Sequence, residues 1–482
     1  MDKKTKISSF LWADDILMLS ESAGGLQSKL NRLAEYCKIN KLTVNTEKTQ
    51  CMIFNKTGRL LKNYKFQYKK TNLKCVREYK YLGFLVTPSG EISSGLEDLR
   101  VRALKALAKI KKALGTQFRQ NIKNTLHLFS YMVKPILLYC SDFWGCLKLP
   151  KNNPIERLHL SFCKQLLGVR KQTNTVGVLL ELGQTPIVID ARKMAIKNWE
   201  RIHLDNANRL LIASHKDAMK ENLPWETSLR NLFSVNGLQD LFQAKVEKTE
   251  DSSRKSAANI LIKRLKDQFY QTSFEAIKTS SKMKTLSLLK REPGKESYLS
   301  VVSNPRHRRA LSKLRLSSHS LEVERGRYTN AHKEQKERFC AFCKQRGTDK
   351  VEDEKHFLLS CPMSKELREK FLPKHILNNS RLNDDEKFTK IILSDPKNTA
   401  KFTFLAFEHR DITLDVLNTL QDMMGNVETL LREQNFNKED NIEYVVKDVS
   451  NNGMKLTLSN AFSAYSVKNT SKNGMKLTLL KV

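Results

Sequence analysis

Residues 9–20 read SFLWADDILMLS and place two adjacent carboxylates, Asp14 and Asp15, inside an otherwise almost wholly apolar run. Phe10, Leu11, Trp12 and Ala13 lead in, and Ile16, Leu17, Met18 and Leu19 lead out. Such a run looks built for burial, and an ionised carboxylate is costly to bury without a compensating charge or hydrogen bonds. The nearest basic residues in sequence are Lys6 and Lys29. A hard divalent cation such as Mg²⁺, which takes carboxylate oxygens, is one natural partner. The other reading is a β-turn carrying Asp-Asp between two short strands, since Asp favours turns.

Outward from this segment, GGLQSKLNRLAEYCKIN spaces Leu26, Leu30, Leu33 and Tyr36–Cys37 as a helix does. KLTVN and TQCMIFN read as β-rich segments around Lys48. YKYLGFLVTPSGEI reads as a hairpin turning at Pro88-Ser89-Gly90. From residue 93 the chain becomes helical. Ser94 and Glu97 match a capping box, and Leu96, Leu99, Ala103, Leu107, Ile110 and Leu114 make one apolar face. Arg102, Lys105, Lys109 and Lys112 form a basic stripe on the same helix. The helix's acids cluster in its first turn, so the stripe is unmixed and suits phosphate contact. Further helices run to about residue 300, broken at Pro154, Pro186, Pro224 and Pro293.

Among the 482 residues, 85 Lys and Arg against 51 Asp and Glu give a formal charge of +34, which favours a polyanionic partner, RNA or DNA. No apolar run reaches the ~20 residues that span a bilayer, so no membrane partner is expected. The start, MDKKTKISSFLWADD, lacks the cleavage site of a signal peptide. Cys37, Cys51, Cys75, Cys140, Cys146 and Cys163 read as reduced core thiols of an intracellular protein, nuclear or cytoplasmic. Residues 301–350 carry 13 Lys and Arg against 5 Asp and Glu, a second basic region. The sequence sets no oligomeric state.

The remaining cysteines follow that region. CAFCKQRGTDKVEDEKHFLLSC spaces Cys340, Cys343, His356 and Cys361 as Cys-x₂-Cys-x₁₂-His-x₄-Cys. Three thiolates and an imidazole suit tetrahedral Zn²⁺, and four protein ligands make such a site structural. Beyond it, Val416, Leu420, Met423, Val427 and Leu430 form a short heptad-like seam weakened by Gly425, and NGMKLTL occurs at 452–458 and again at 473–479.

Together these residues resemble a known family. FLWADDILMLSES with the following KLTVN and KTQCMIF is similar to the end of the palm in reverse transcriptases of LINE-type (non-LTR) retrotransposons. YKYLGFLVTPSG resembles that family's primer-grip hairpin, FSYMVKPILLYCSDFWG and LHLSFCKQLLGVRKQT its thumb, and RFCAFC with VEDEKHFLLSCP its C-terminal zinc region. The likeness runs with gaps from residue 7 to about 375. It implies that Asp14 binds a catalytic Mg²⁺ with Asp15 beside it, that Lys48 assists the pyrophosphate leaving group, and that Tyr81, Leu82 and Gly83 grip the primer. Trp12 stands where Tyr or Phe is commoner in the family.

The family draws a further carboxylate and the nucleotide-holding fingers from strands ahead of the Ala-Asp-Asp box, where this chain has 13 residues with Asp2 the only acid. Asp142, Asp190, Asp384 and Asp385 lack a strand-flanked context. The chain is therefore expected to be the C-terminal portion of such a polymerase, inactive alone, with Mg²⁺ bound only by a complete palm. The alternative is a non-catalytic, zinc-stabilised basic RNA/DNA-binding protein derived from such an element. The expected fold is α+β. A partial palm (1–92) precedes a helical thumb (93–180), a helical connector (181–300) and a basic region with the zinc knuckle (301–375). A helical segment (376–440) and a disordered tail carrying the repeat (441–482) complete it.

Overall fold

A computed structural model describes residues 7–61, 63–203, 208–247, 256–328, 333–433, 443–450, 453–460, 463–468 and 479–481. The Asp-Asp segment forms a hairpin, Ser9–Trp12 (β1) against Asp15–Met18 (β2), with Trp12 opposite Asp15 and Ala13-Asp14 as its two-residue turn. Helix Ala23–Ile39 (α1) follows, capped by Ser22 Oγ accepting from the Gly25 amide. Leu30 and Cys37 point inward from it, whereas Tyr36 is exposed. Of the β-rich stretch around Lys48, only Gln50–Cys51 (β3) is a strand. It pairs in parallel with Thr71–Cys75 (β5), which pairs antiparallel with Phe66–Tyr68 (β4). A small core of Leu30, Cys51, Phe66, Tyr68 and Leu73 joins this sheet to α1.

The next hairpin turns elsewhere than expected. Tyr79–Tyr81 (β6) and Phe84–Val86 (β7) pair with Tyr81 opposite Phe84, so the turn is Leu82-Gly83. Both turn residues have positive φ, 45° and 83°, as a tight two-residue hairpin requires. Leucine is no turn signal, so sequence reading moved the turn to Pro88-Ser89-Gly90. Those residues make a later turn, closed by the Gly90 amide on the Thr87 carbonyl at 3.0 Å, that leads into Ser93–Leu114 (α2).

Helix α2 buries Leu96, Leu99, Ala103, Leu107 and Ile110, the face its spacing predicted, with Leu114 half-buried. Its capping box does not form. The helix starts at Ser93 with no side-chain cap, and Glu97 turns aside to accept from Arg100 Nε at 2.9 Å. Downstream, three of the four prolines open helices, and Pro293 lies in the bend between Lys284–Leu289 and Tyr298–Val301. Pro154 and Pro224 stand at the first positions of Pro154–Leu167 and Pro224–Val235, and Pro186 caps Ile187–Ile202. Proline's missing amide costs nothing in a first helical turn.

The expected thumb, connector, zinc region and the start of the C-terminal helical segment share one interior. One apolar core runs from Phe84 and α2 through Trp144, Phe162 and Leu180 to Leu311, Phe357, Phe388 and Phe402. A second, around Trp199, Phe233 and Phe242, gathers the connector helices. Two compact units result, Met1–Phe407 and Glu408–Val482. In the second unit, the region expected as a tail contains Glu443–Ser450 (β8), Gly453–Asn460 (β9), Ser463–Lys468 (β10) and Leu479–Lys481 (β11). These form one antiparallel sheet in the order β11-β10-β9-β8. The alternating MKLTL of the first repeat copy is a strand pattern and lies in β9; the second copy, save Leu479, falls outside the described residues.

Among the described residues no helix is long and apolar enough to cross a membrane. All nine cysteines are free: Cys37, Cys51, Cys146 and Cys163 are buried, and Cys75 and Cys140 partly so.

Candidate functional site

The spacing of CAFC…H…C closes into one cluster. The Phe339–Val351 bridge and the Cys340 amide on the Lys350 carbonyl at 2.7 Å fold the loop back on itself. Cys343 lies one turn beyond Cys340 on the short helix Ala341–Gln345, whose end is held by the Thr348 amide on the Cys343 carbonyl at 2.9 Å. His356 opens the turn His356–Ser360, and its amide donates to Asp353 Oδ1 at 2.7 Å. Its Nδ1 lies 3.1 Å from Ser360 Oγ, which aims Nε2 at Cys343 Sγ, 3.4 Å away. Cys361 follows this turn, its carbonyl accepting from buried Arg368 at 2.8 Å, and its Sγ lies 3.9 Å from that of Cys340.

All four ligand atoms fall within 4.8 Å of one another, the three cysteines buried and His356 partly so. A tetrahedral ion with bonds of ~2.3 Å to sulfur and ~2.0 Å to nitrogen needs edges of about 3.8 Å and 3.5 Å. The two distances above match, so the cluster can hold a metal ion. The Cys361 hydrogen bond holds the Cys340 thiol down to about 4, and the same bond together with burial pushes Cys361 far up. Two thiolates this close cannot both ionise without a cation between them.

The loop is anchored to the helical body through groups that sequence reading passed over. Glu354 accepts from Ser317 Oγ at 2.8 Å and lies 3.0 Å from His319 Nε2. Burial alone would raise its carboxyl; the His319 contact outweighs that and holds it down to about 2. Glu352 accepts from the Glu322 amide at 2.7 Å, and Arg338 donates to the Val323 carbonyl at 2.8 Å.

Part of the basic region ahead of the cluster is structural, while most of its Lys and Arg side chains stay exposed. Arg308, Arg315 and Arg338 are buried. Arg308 donates to the Val302 carbonyl at 2.7 Å and to the Gln120 carbonyl at 3.0 Å. Arg315 pairs with Glu181 at 2.8 Å and Glu296 at 2.6 Å. A run of arginines in sequence cannot show which of them turn inward.

The Asp-Asp hairpin departs most from expectation. Phe10, Leu11, Trp12 and Ile16 are exposed, and so are Asp14 and Asp15. The sheet has two strands only, and Met18 is its link to the small core. The carboxylates stay solvated, so burial does not demand a cation here. Among the described residues no third Asp, Glu, His or Cys joins them in a metal-holding group. Lys48 is exposed in a turn, its amide donating to Asn45 Oδ1 at 3.1 Å.

The Tyr81-Leu82-Gly83 tip is held firmly. Tyr139 donates its hydroxyl to the Leu82 carbonyl, and Arg102 Nη2 donates to the Gly83 carbonyl at 2.8 Å. Arg102 also pairs with Asp98 at 3.0 Å and lies over the Tyr139 ring at 5.8 Å. The stripe's first member is thus occupied internally, while Lys105, Lys109 and Lys112 remain exposed. Nothing in the spacing of α2 distinguishes Arg102 from the lysines; its distinction is the hairpin packed beside it. Comparison with known proteins adds no relative: no protein-family model, no curated protein and no solved structure matches the chain.

Proposed function

We propose that the chain is the C-terminal portion of a LINE-type reverse transcriptase, comprising the end of the palm, the thumb and a zinc region, and that it binds RNA and DNA. What carries this reading is the order of its features along one chain. An Ala-Asp-Asp hairpin is followed by a Tyr-Leu-Gly hairpin clamped to the first long helix, and then by a buried Cys₃His cluster. The ion in that cluster is Zn²⁺ in a structural role, because four protein ligands leave no open position for chemistry.

Binding falls to the lysines of α2. Lys105, Lys109 and Lys112 neutralising three phosphates of duplex DNA give a salt slope of about −2.7, or roughly fortyfold weaker binding between 50 and 200 mM salt. Reversing all three to Glu is expected to weaken binding equally for every sequence tested, since phosphate contacts position without specifying. Fluorescence anisotropy over a salt series checks both. An unchanged affinity in the triple variant would remove the stripe from the interface.

The second reading, binding without catalysis, is favoured by the solvated Asp14–Asp15 pair. Two-metal nucleotide transfer clamps ions ~3.5–4 Å apart between several carboxylates, and the described residues bring no third one here. Primer extension on an oligo-primed RNA template with Mg²⁺ or Mn²⁺ is expected to yield no product. Template-dependent synthesis abolished by Asp14→Ala would restore the catalytic reading to this chain.

A further inference from the structure

Beside the Leu82-Gly83 turn lies an apolar surface that the basic stripe does not account for. Leu82, Tyr139 and Phe143 are 38%, 40% and 51% exposed, although isolated large apolar side chains at a surface would need no explanation. Both aromatic rings meet the same hairpin. The Tyr139 hydroxyl bonds the Leu82 carbonyl, and a Cβ on Gly83 would meet the Tyr139 hydroxyl at 3.3 Å and its nearest ring carbon at 3.4 Å, so the turn lies against this side chain. Phe143 stands edge-on to Phe84, the next residue, with centroids 6.3 Å apart.

The rings are also fixed in place. Trp144 is fully buried, and its Nε1 donates to the Tyr139 carbonyl at 2.8 Å, which pins the short turn bearing both Tyr139 and Phe143. Charge identifies what covers them. The hairpin packs on the first half of α2 through Arg102, and the exposed Lys105, Lys109 and Lys112 continue down that helix from the same end. Of the nearby acids, Asp98 is already held by Lys80 at 2.8 Å and by Arg102, leaving Asp142. Fixed, half-exposed aromatic side chains leading into a line of exposed lysines suit one strand of nucleic acid, whose bases stack while its phosphates track the charge.

We propose that Tyr139 and Phe143 form a stacking platform for unpaired bases of an RNA or DNA strand whose phosphates run on along Lys105, Lys109 and Lys112. A duplex keeps its bases stacked on one another and gains little from the platform. The proposal rests on the nucleic-acid-binding reading above, and the test separates the two.

Full-length protein and its Phe143→Ala and Phe143→Trp variants are titrated against a 12-nucleotide oligo(dT) and a 12-base-pair duplex at one salt concentration. Because Phe143 also packs on Phe84, urea unfolding of each variant is measured beside binding to show that the fold is retained. Losing one stack is expected to weaken single-strand binding about 5- to 150-fold, the equivalent of ~1–3 kcal/mol per base. Duplex binding should change less than about twofold, and Phe143→Trp should retain single-strand affinity. Equal effects on single strand and duplex, or none on either, would overturn the platform while leaving nucleic-acid binding standing. If the unaltered chain binds neither oligonucleotide, both readings fall.

Discussion

Purified from cells, the full chain is expected to carry one equivalent of zinc and to lose it when Cys343 is replaced by serine. The four ligand atoms already lie within 4.8 Å of one another, and Cys340 and Cys361 share a proton across 3.9 Å that an ion would displace. Structural zinc contributes on the order of 10–16 kcal/mol of apparent binding free energy at neutral pH, and in small sites that energy is folding energy. The effect here should be local at first, because Phe357 and Leu358 of the same loop belong to the large core. Chelation at pH 7 should therefore open residues 338–361 to protease and hydrogen exchange, and added Zn²⁺ should restore protection. Elemental analysis gives the stoichiometry. Less than half an equivalent in soluble protein, unchanged by Cys343→Ser, would rule the centre out.

Arg315→Ala is expected to destabilise the chain by about 3–5 kcal/mol, the cost of leaving a buried charge without its partner. Arg315 and Glu181 are both almost fully inaccessible and joined by a bidentate contact, Nε to Oε2 at 3.1 Å and Nη2 to Oε1 at 2.8 Å. Glu296 takes a second contact from Arg315 and one from Lys290 at 2.7 Å, so the network is two cations against two anions. The Tyr298 ring covers the guanidinium at 4.9 Å. Removing the whole pair should cost much less than removing one member, since buried ion pairs are often replaceable by apolar groups of like volume. Arg315→Met with Glu181→Leu should accordingly recover a large part of the loss in urea unfolding. A single substitution costing under ~1 kcal/mol would mean that Glu181 is not isolated in the folded chain.

These arginines mark where sequence reading stops. The burial of Leu96, Leu99, Ala103, Leu107 and Ile110 was legible because a helix repeats every 3.6 residues and one face must leave water. The Cys₃His cluster was legible because its ligands are close in sequence and its donor types are specific. Three of the four prolines marked helix starts, and Pro293 marked a break.

What only the tertiary structure decided concerns side chains whose partners are distant along the chain. Arg102 meets Gly83 across 19 residues, and Arg315 meets Glu181 across 134. Before folding, each is one more cation in a basic run. The Leu82-Gly83 turn, with a leucine at positive φ, is held by Tyr139 from 57 residues away. The Asp-Asp hairpin shows the reverse. Its apolar composition predicted burial, but an apolar strand leaves water only when another layer covers it, and β1 and β2 pair only with each other. Composition and periodicity thus determined which faces are apolar and where a metal can bind. Packing alone determined which faces are covered and which charges remain free for a partner.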